Sequence, residues 1–392
     1  MSYVTLKTFF VLPLLAGFFA ETLSTPAPFP NQYVEHALKK RQNHNVVETT
    51  HTQANTLDWI PLTSQGKIAK APPLPSALPQ DPSKKVARPV SELEMPGIKK
   101  GPAGTVPVPR VNATYLTNVC QKKPPPNKSG KTKRQDAGDH WYVNADQVVN
   151  NHGSNLVMSM FAPFVNNAAD FSLLQTAVTA QTSAGMQTVE AGWLVYPSQV
   201  SQPHIFTYFT TNGYASTGNN IGGWNQDVSG WVQTDSTYFP GTAFSTISTI
   251  NGTQYDMTMQ YQLYEGNWWL LVIDRFIGYY PGSLFSAATK GSASLANQSD
   301  TIYYYGEIAQ SEGPVTNSDM GSGDFAETGF GNSGYMHNMY YLDTNGNSFD
   351  FNASFSDSDA SRYDHRAFPS SGTAWGSYLY LGGPGAGGVV GG

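Results

Sequence analysis

The chain has 392 residues, 22 Lys plus Arg against 28 Asp plus Glu, a formal net charge of −6 and one cysteine. That length allows more than one domain, the acidic balance argues against a nucleic-acid partner, and a single cysteine excludes an internal disulfide.

In chain order, Met1 to Ala20 comes first. Lys7 precedes an apolar run from Phe9 to Phe19 that is too short to span a bilayer and ends near the small residue Ala20, as a secretory signal peptide does. No later run is long and apolar enough for a membrane helix. Up to Arg134 the chain holds 18 Lys plus Arg, 7 Asp plus Glu and 18 of its 26 prolines, whereas Gln135 to Gly392 hold 4 basic and 21 acidic residues. Two dibasic sites, KKRQ with Arg41 and KTKRQ with Arg134, read as cuts by a kexin-type processing protease, and the second coincides with the change in composition. The expected division is therefore a signal peptide 1–20, a propeptide 21–134 and a body 135–392. A positive leader on a negative body is held partly by charge attraction, which acid weakens as carboxylates protonate. The bland alternative is a disordered linker with solvated lysines. The one cysteine, Cys120, lies in the leader, so the body has no thiol nucleophile. Asn251, Asn297 and Asn352 each open an N-x-S/T sequon, as in the surface loops of a glycosylated exported domain.

From Trp141 onward, short β-branched and aromatic runs alternate with Gly, Asn, Asp and Pro. His204 to Thr211 and Asp256 to Tyr264 alternate well, and Glu265, Gly266 and Asn267 predict a hairpin turn into Trp268 to Ile273. Short helices are expected only around Ala145 to Val149 and Pro281 to Ala288. The pattern predicts an all-β fold, an antiparallel sandwich or barrel over the 258 residues of the body. The body histidines, His140, His152, His204, His337 and His365, are scattered without a zinc spacing, and neither a nucleophile elbow nor a phosphate loop occurs. No metal or cofactor is expected.

Two strands carry a glutamate where apolar residues dominate. In MQTVEAGWLVYP, Val189, Ala191, Trp193 and Val195 share one face and Glu190 lies on the other; in DTIYYYGEIAQ, Tyr303, Tyr305 and Glu307 share a face. An isolated strand glutamate is ordinarily a solvent-facing one. Two of them brought together on one concave sheet would share a proton and act as an acid and a base in an acid medium. A glycosidase with a carboxylate pair and a non-catalytic sugar- or peptide-binding sandwich fit the same residues.

EAGW at Glu190, FTY at Phe206, QYD at Gln254, GNWW at Gly266, IGYYP at Ile277, YGE at Tyr305, MGSGDF at Met320 and the terminal GGPG at Gly382 occur in the order seen in the neprosin family, which the body resembles. GTVPVPR, 104–110, resembles the end of that family's activation segment. The resemblance implies a secreted glutamic peptidase made as a zymogen, a sandwich of two antiparallel sheets, active in acid and cutting after proline. Its own propeptide is then an intramolecular inhibitor, and its substrates are Pro-rich proteins or peptides. The catalytic pair falls on Glu190 and Glu307. Gln175 matches a glutamine of a family motif, and Tyr208, Trp193, Tyr303 and Tyr305 are candidate substrate contacts, although strand parity sets Trp193 opposite Glu190. Gly192 and Gly306 are candidate points of close approach for a substrate backbone. The loop 218–231 lacks the cysteines of plant-type members, which removes their disulfide-bound loops.

Overall fold

The computed structural model describes residues 31–42, 45–111, 115–116, 119–120, 122–123, 140–285, 294–311 and 315–392. The expected signal peptide and Arg134 lie outside the described residues.

The leader is folded where it is described, which overturns the disordered-linker alternative there. It forms a helix α1 (Asn31–Gln42) whose last turn contains Arg41, and a sheet of β1 (Glu48–His51), β2 (Thr56–Pro61) and β4 (Thr105–Pro109) in the order β1-β2-β4. Pro107 and Pro109 fit because β4 is an edge strand, with nothing awaiting their missing N–H groups. Arg110, just beyond it, clamps Asp58 of β2 through Nε at 2.8 Å and a terminal nitrogen at 2.7 Å. A short β3 (Val86–Ala87) pairs with the body.

The body is a sandwich of two sheets. Seven strands run in the order β10 (Gly222–Trp224), β9 (Val200–Thr210), β8 (Gly185–Tyr196), β7 (Phe171–Thr182), β15 (Ser299–Ala309), β5 (His140–Asn151) and β18 (Ser354–Asp357). The larger sheet runs β11 (Val232–Gln233), β14 (Arg275–Pro281), β13 (Asn267–Val272), β12 (Gln254–Tyr264), β6 (Gly153–Ser159), β16 (Gly334–Leu342), β20 (Tyr378–Gly382) and β19 (Asp364–Phe368), with β17 (Ser348–Asp350) on β16 and β3 on β12. All pairings within the seven-stranded sheet are antiparallel. Glu265 (φ 46°) and Gly266 (φ 72°) form the two-residue turn between β12 and β13, with both residues left-handed as such hairpins require.

The main apolar core lies between the two sheets. Trp193 of β8 is fully buried there and donates to the Ser159 carbonyl of β6 at 2.8 Å. Tyr304 of β15 likewise donates across the core to the Asn155 and Tyr340 carbonyls, each at 2.8 Å. Alternation then turns Glu190, Tyr303, Tyr305 and Glu307 to the other face of the sheet.

Two local expectations fail. Ala145 to Val149 is strand, not helix: Ala145 pairs with Tyr304 and Gln147 with Ile302, so ladder pairing overrides the mild helix preference of Ala and Gln. The Pro281 to Ala288 helix reduces to a single 3-10 turn, Gly282–Phe285, among the described residues.

Candidate active site

Register brings the two glutamates together. Ala177 of the intervening β7 pairs with Glu190 and Leu173 pairs with Glu307, while Gln175 between them faces Gly192 and Tyr305. Both carboxylates and Gln175 therefore occupy one face, on three adjacent strands, and all three side chains are fully buried. Tyr261 of the larger sheet donates to the Glu190 carbonyl at 3.0 Å, which fixes this part of β8 from beneath.

Glu190 accepts four hydrogen bonds from neutral donors. Tyr214 OH (2.6 Å) and Thr188 Oγ1 (2.8 Å) reach Oε1; Gln175 Nε2 (2.8 Å) and Tyr305 OH (3.1 Å) reach Oε2. Tyr214 follows β9 in a left-handed conformation (φ 62°), unusual for a bulky residue, and its N–H is tied to Thr210 Oγ1. That turn aims its phenol back at Glu190. Glu307 has different company: His140 Nδ1 lies 2.6 Å from Oε1, and Tyr142 OH donates to the same oxygen at 3.3 Å.

The remaining member comes from the leader. Lys122 Nζ stands 2.8 Å from Glu190 Oε2 and 3.1 Å from Glu307 Oε2, and it also donates to Gln175 Oε1. The two carboxylate oxygens are thus no farther apart than the two legs of that bridge together. The Glu307 contact is one of charge, since Oε2 accepts no aligned hydrogen bond among the described residues. Lys122 is completely buried, with the rings of Phe206, Tyr305 and Trp224 centred 5.3, 5.4 and 5.8 Å from its nitrogen. Leader backbone crosses the same face. Cys120 N–H donates to Tyr196 OH at 2.9 Å, Trp224 Nε1 to the Cys120 carbonyl at 3.3 Å, and Tyr142 OH to the Lys123 carbonyl at 3.2 Å.

These contacts set the charge states. Burial alone would push the Glu190 carboxyl up, but the Lys122 ammonium and the bonds from Lys122, Tyr214 and Gln175 outweigh it and hold the group below its ordinary range. Burial, reinforced by the nearby carboxylates, pushes the phenols of Tyr142, Tyr208, Tyr214 and Tyr305 well up, so they serve as donors.

A second buried acid lies where the leader meets the loop 218–231. Asp227 Oδ2 accepts from Tyr33 OH (2.9 Å) and Tyr115 OH (3.2 Å), and Lys40 Nζ caps the flanking carbonyls of Gln226 (2.6 Å) and Val228 (2.9 Å). Burial raises Asp227 to about 6 and lowers Lys40 to about 8. Within this cysteine-free loop, Asn219 Oδ1 accepts from Ser229 N–H at 2.7 Å.

Of the residues singled out by sequence, Gln175 and Tyr305 bond Glu190, and Tyr208 lies on the site face with its buried hydroxyl unpartnered among the described residues. Tyr303 shares that face and packs with Tyr142, Ala177 and Tyr305. Trp193 does not belong to the site: it is core, on the opposite face, because its indole fills the space between the sheets. The glycines are structural as well. A Cβ on Gly192 would fall 1.9 Å from the Leu174 carbonyl, and one on Gly306 would fall 2.5 Å from Met320 Sδ in the core, so neither makes room for substrate. Asn251, Asn297 and Asn352 are all exposed. Sequence reasoning missed Lys122, His140, Tyr142 and Tyr214; for His140 and Tyr142, the alternation HWY at the start of the first body strand was the available signal.

The fold is an antiparallel two-sheet sandwich that holds paired acids under an aromatic face, and the protein is a peptidase. The family model for neprosin matches residues 168–384, more than half of the chain, and the chain belongs to the neprosin family. Among solved structures it is similar to scytalido-glutamic peptidase bound to a peptide-based transition-state analogue (TM-score 0.31, 6% identity, 62% of this chain and 98% of that one). It is also similar to SCP-B, a member of the eqolisin family of peptidases in complex with the tripeptide Ala-Ile-His (TM-score 0.30, 7% identity, 62% and 98%). Overlaps this loose carry no residue-to-residue correspondence.

Proposed function

We propose that the protein is an exported glutamic endopeptidase in its latent form, that Glu190 and Glu307 are its catalytic pair, and that the leader is its intramolecular inhibitor. The observation that carries this reading is the Lys122 ammonium buried between the two carboxylates. A buried carboxylate pair is costly unless it is compensated, and the compensating charge comes from a leader that carries the dibasic sequences at Arg41 and Arg134. Once Lys122 leaves, two carboxylates with no cation between them share a proton. The ionised member takes a proton from water for attack on a peptide carbonyl, and the protonated member supplies one to the carbonyl oxygen. Gln175, Tyr305 and the hydroxyl of Tyr208, unpartnered among the described residues, would hold the substrate and the developing oxyanion. The aromatic face formed by Phe206, Tyr208, Trp224 and Tyr305 suits the apolar ring of proline, which favours Pro-rich substrates.

Maturation by a kexin-type cut after Arg134, or by an acid self-cut in Pro124 to Pro126, would free the body from Gln135 or from just upstream of it. Export is supported by the apolar run before Ala20 and by the exposure of Asn251, Asn297 and Asn352. The test is incubation of acid-treated protein with a Pro-rich peptide and, in parallel, with common polysaccharides. Peptide products ending in proline are expected; sugar products, or no peptide product at any acid pH, would refute the reading.

A further inference from the structure

Away from the glutamates, a leader side chain fills a pocket whose polar walls are all body. Tyr115 OH donates to Asp227 Oδ2 at 3.2 Å and accepts from Gln199 Nε2 at 2.8 Å, and its ring meets that of Tyr196 edge-on at 77°, with centroids 5.5 Å apart. An acceptor, a donor and an aromatic neighbour answer the three parts of a phenol. A phenylalanine at this place would bond neither polar group, and a lysine would answer only the acid. Asp227 Oδ2 is met by a second phenol, Tyr33 at 2.9 Å, while the nearby Lys40 ammonium goes to the carbonyls of Gln226 and Val228.

The body holds these walls with its own bonds. Tyr196 ends β8 and is fully buried, and Gln199, in the turn to β9, has its N–H on the Tyr196 carbonyl at 2.8 Å. Asp227 follows β10 in a turn closed by its N–H on the Trp224 carbonyl at 3.0 Å. Asn225, inside that turn, donates to the Thr207 carbonyl of β9 at 2.7 Å and accepts from Thr207 N–H at 3.0 Å. Departure of the leader takes the two phenols away and leaves these ties in place. The pocket also runs into the cleft. The Tyr196 ring lies against Phe171 (5.8 Å) and Trp224 (6.3 Å), and its hydroxyl accepts from the N–H of Cys120, two residues before Lys122. Seven positions separate Tyr115 from Lys122. At no more than about 3.6 Å per residue their Cα atoms lie within ~25 Å of each other, a span that one peptide substrate covers.

We propose that Asp227, Gln199 and Tyr196 form a distal substrate pocket for a tyrosine side chain, which Tyr115 of the leader occupies in the latent form. The inference rests on the peptidase reading above, and it gives the substrate a second determinant besides proline. A substrate phenol takes the place of Tyr115, donating to Asp227 and accepting from Gln199, and no bond of the substrate is made or broken there.

The test uses the full chain activated in acid. One set of proline-containing peptides carries a tyrosine at each position in turn on either side of the proline, and matched sets carry phenylalanine or lysine instead. At one position tyrosine should lower KM by about tenfold against phenylalanine with kcat little changed, because two hydrogen bonds are gained at a place remote from the reacting groups. Asp227→Ala, and Gln199→Ala as the variant outside the 218–231 loop, should each bring that ratio close to one. Binding of the same tyrosine and phenylalanine peptides to acid-activated Glu307→Gln reads the pocket apart from turnover and should show the same preference. Equal binding at every position, a lysine peptide that matches tyrosine, or a tyrosine preference that survives both substitutions would overturn the pocket. A wild type that cuts no peptide would refute the peptidase reading, with the binding ratio still deciding the pocket; a wild type that cuts tyrosine and phenylalanine peptides alike would refute this inference alone.

Discussion

The leader grips the body at two buried acids and treats them in opposite ways. Against Glu190 and Glu307 it sets the ammonium of Lys122 and, with the bonds from Tyr214 and Gln175, holds Glu190 below its ordinary range despite complete burial. Against Asp227 it sets two phenols, Tyr33 and Tyr115, keeps the Lys40 ammonium on neighbouring carbonyls, and leaves the acid raised to about 6. Burial is common to both, so the difference lies in whether a cation touches the carboxylate. The pH signs follow. The depressed Glu190 contributes to leader docking above its ordinary range, and that contribution is lost as pH falls through its depressed value. The raised Asp227 contributes fully below its ordinary value of 3.8, and that contribution is lost as pH rises through about 6. On these signs acid should loosen the leader at the glutamate pair and tighten it at the loop, which leader release followed across pH would check.

The comparison can be broken most forcefully at the pair itself. Glu190→Gln or Glu307→Gln should lower peptide turnover by about a hundredfold or more, since each removes an acid or base group, with the released body still folded. Turnover near wild type in either variant would detach the cleft from catalysis. Next in size is Lys122→Met, which leaves two buried carboxylates without their cation and should weaken leader docking by about 3 kcal/mol or more. Its pH dependence should also invert, with acid tightening rather than loosening the leader, as read by size exclusion of a chain nicked in the leader. The smallest effect belongs to Asp227→Asn. The amide carries no charge to bury, so leader docking should strengthen by about tenfold above pH ~6 and stay unchanged near pH ~4; a loss of docking at both would show that Asp227 is held as a needed anion.

Strand alternation made much of this fold legible. The faces of β8 and β15, with Trp193 opposite Glu190 and with Tyr303 and Tyr305 beside Glu307, follow from period two alone; that the two glutamates meet follows from their register through β7. The β12–β13 hairpin was equally plain in Glu265-Gly266. Parity says which face a residue occupies, however, and not what lies over that face. Lys122 is one of two adjacent lysines before a proline run, and nothing local distinguishes it from a solvated charge. Tyr214 reaches Glu190 through a left-handed turn that no hydrophobic period encodes. The leader's own sheet was hidden for a related reason: prolines that read as breakers occupy an edge strand, where they cost no ladder bond. Ala145 to Val149 misled because intrinsic preference is weaker than pairing on both sides, with β15 and β18.

The most direct measurement follows one sample of the full chain through an acid titration, recording leader release and hydrolysis of a proline-containing peptide together. The two curves should rise at the same pH, with no turnover while Lys122 remains seated. Turnover from a chain whose leader is still docked, or a released body that cuts no peptide, would contradict the claim that this lysine silences a catalytic pair.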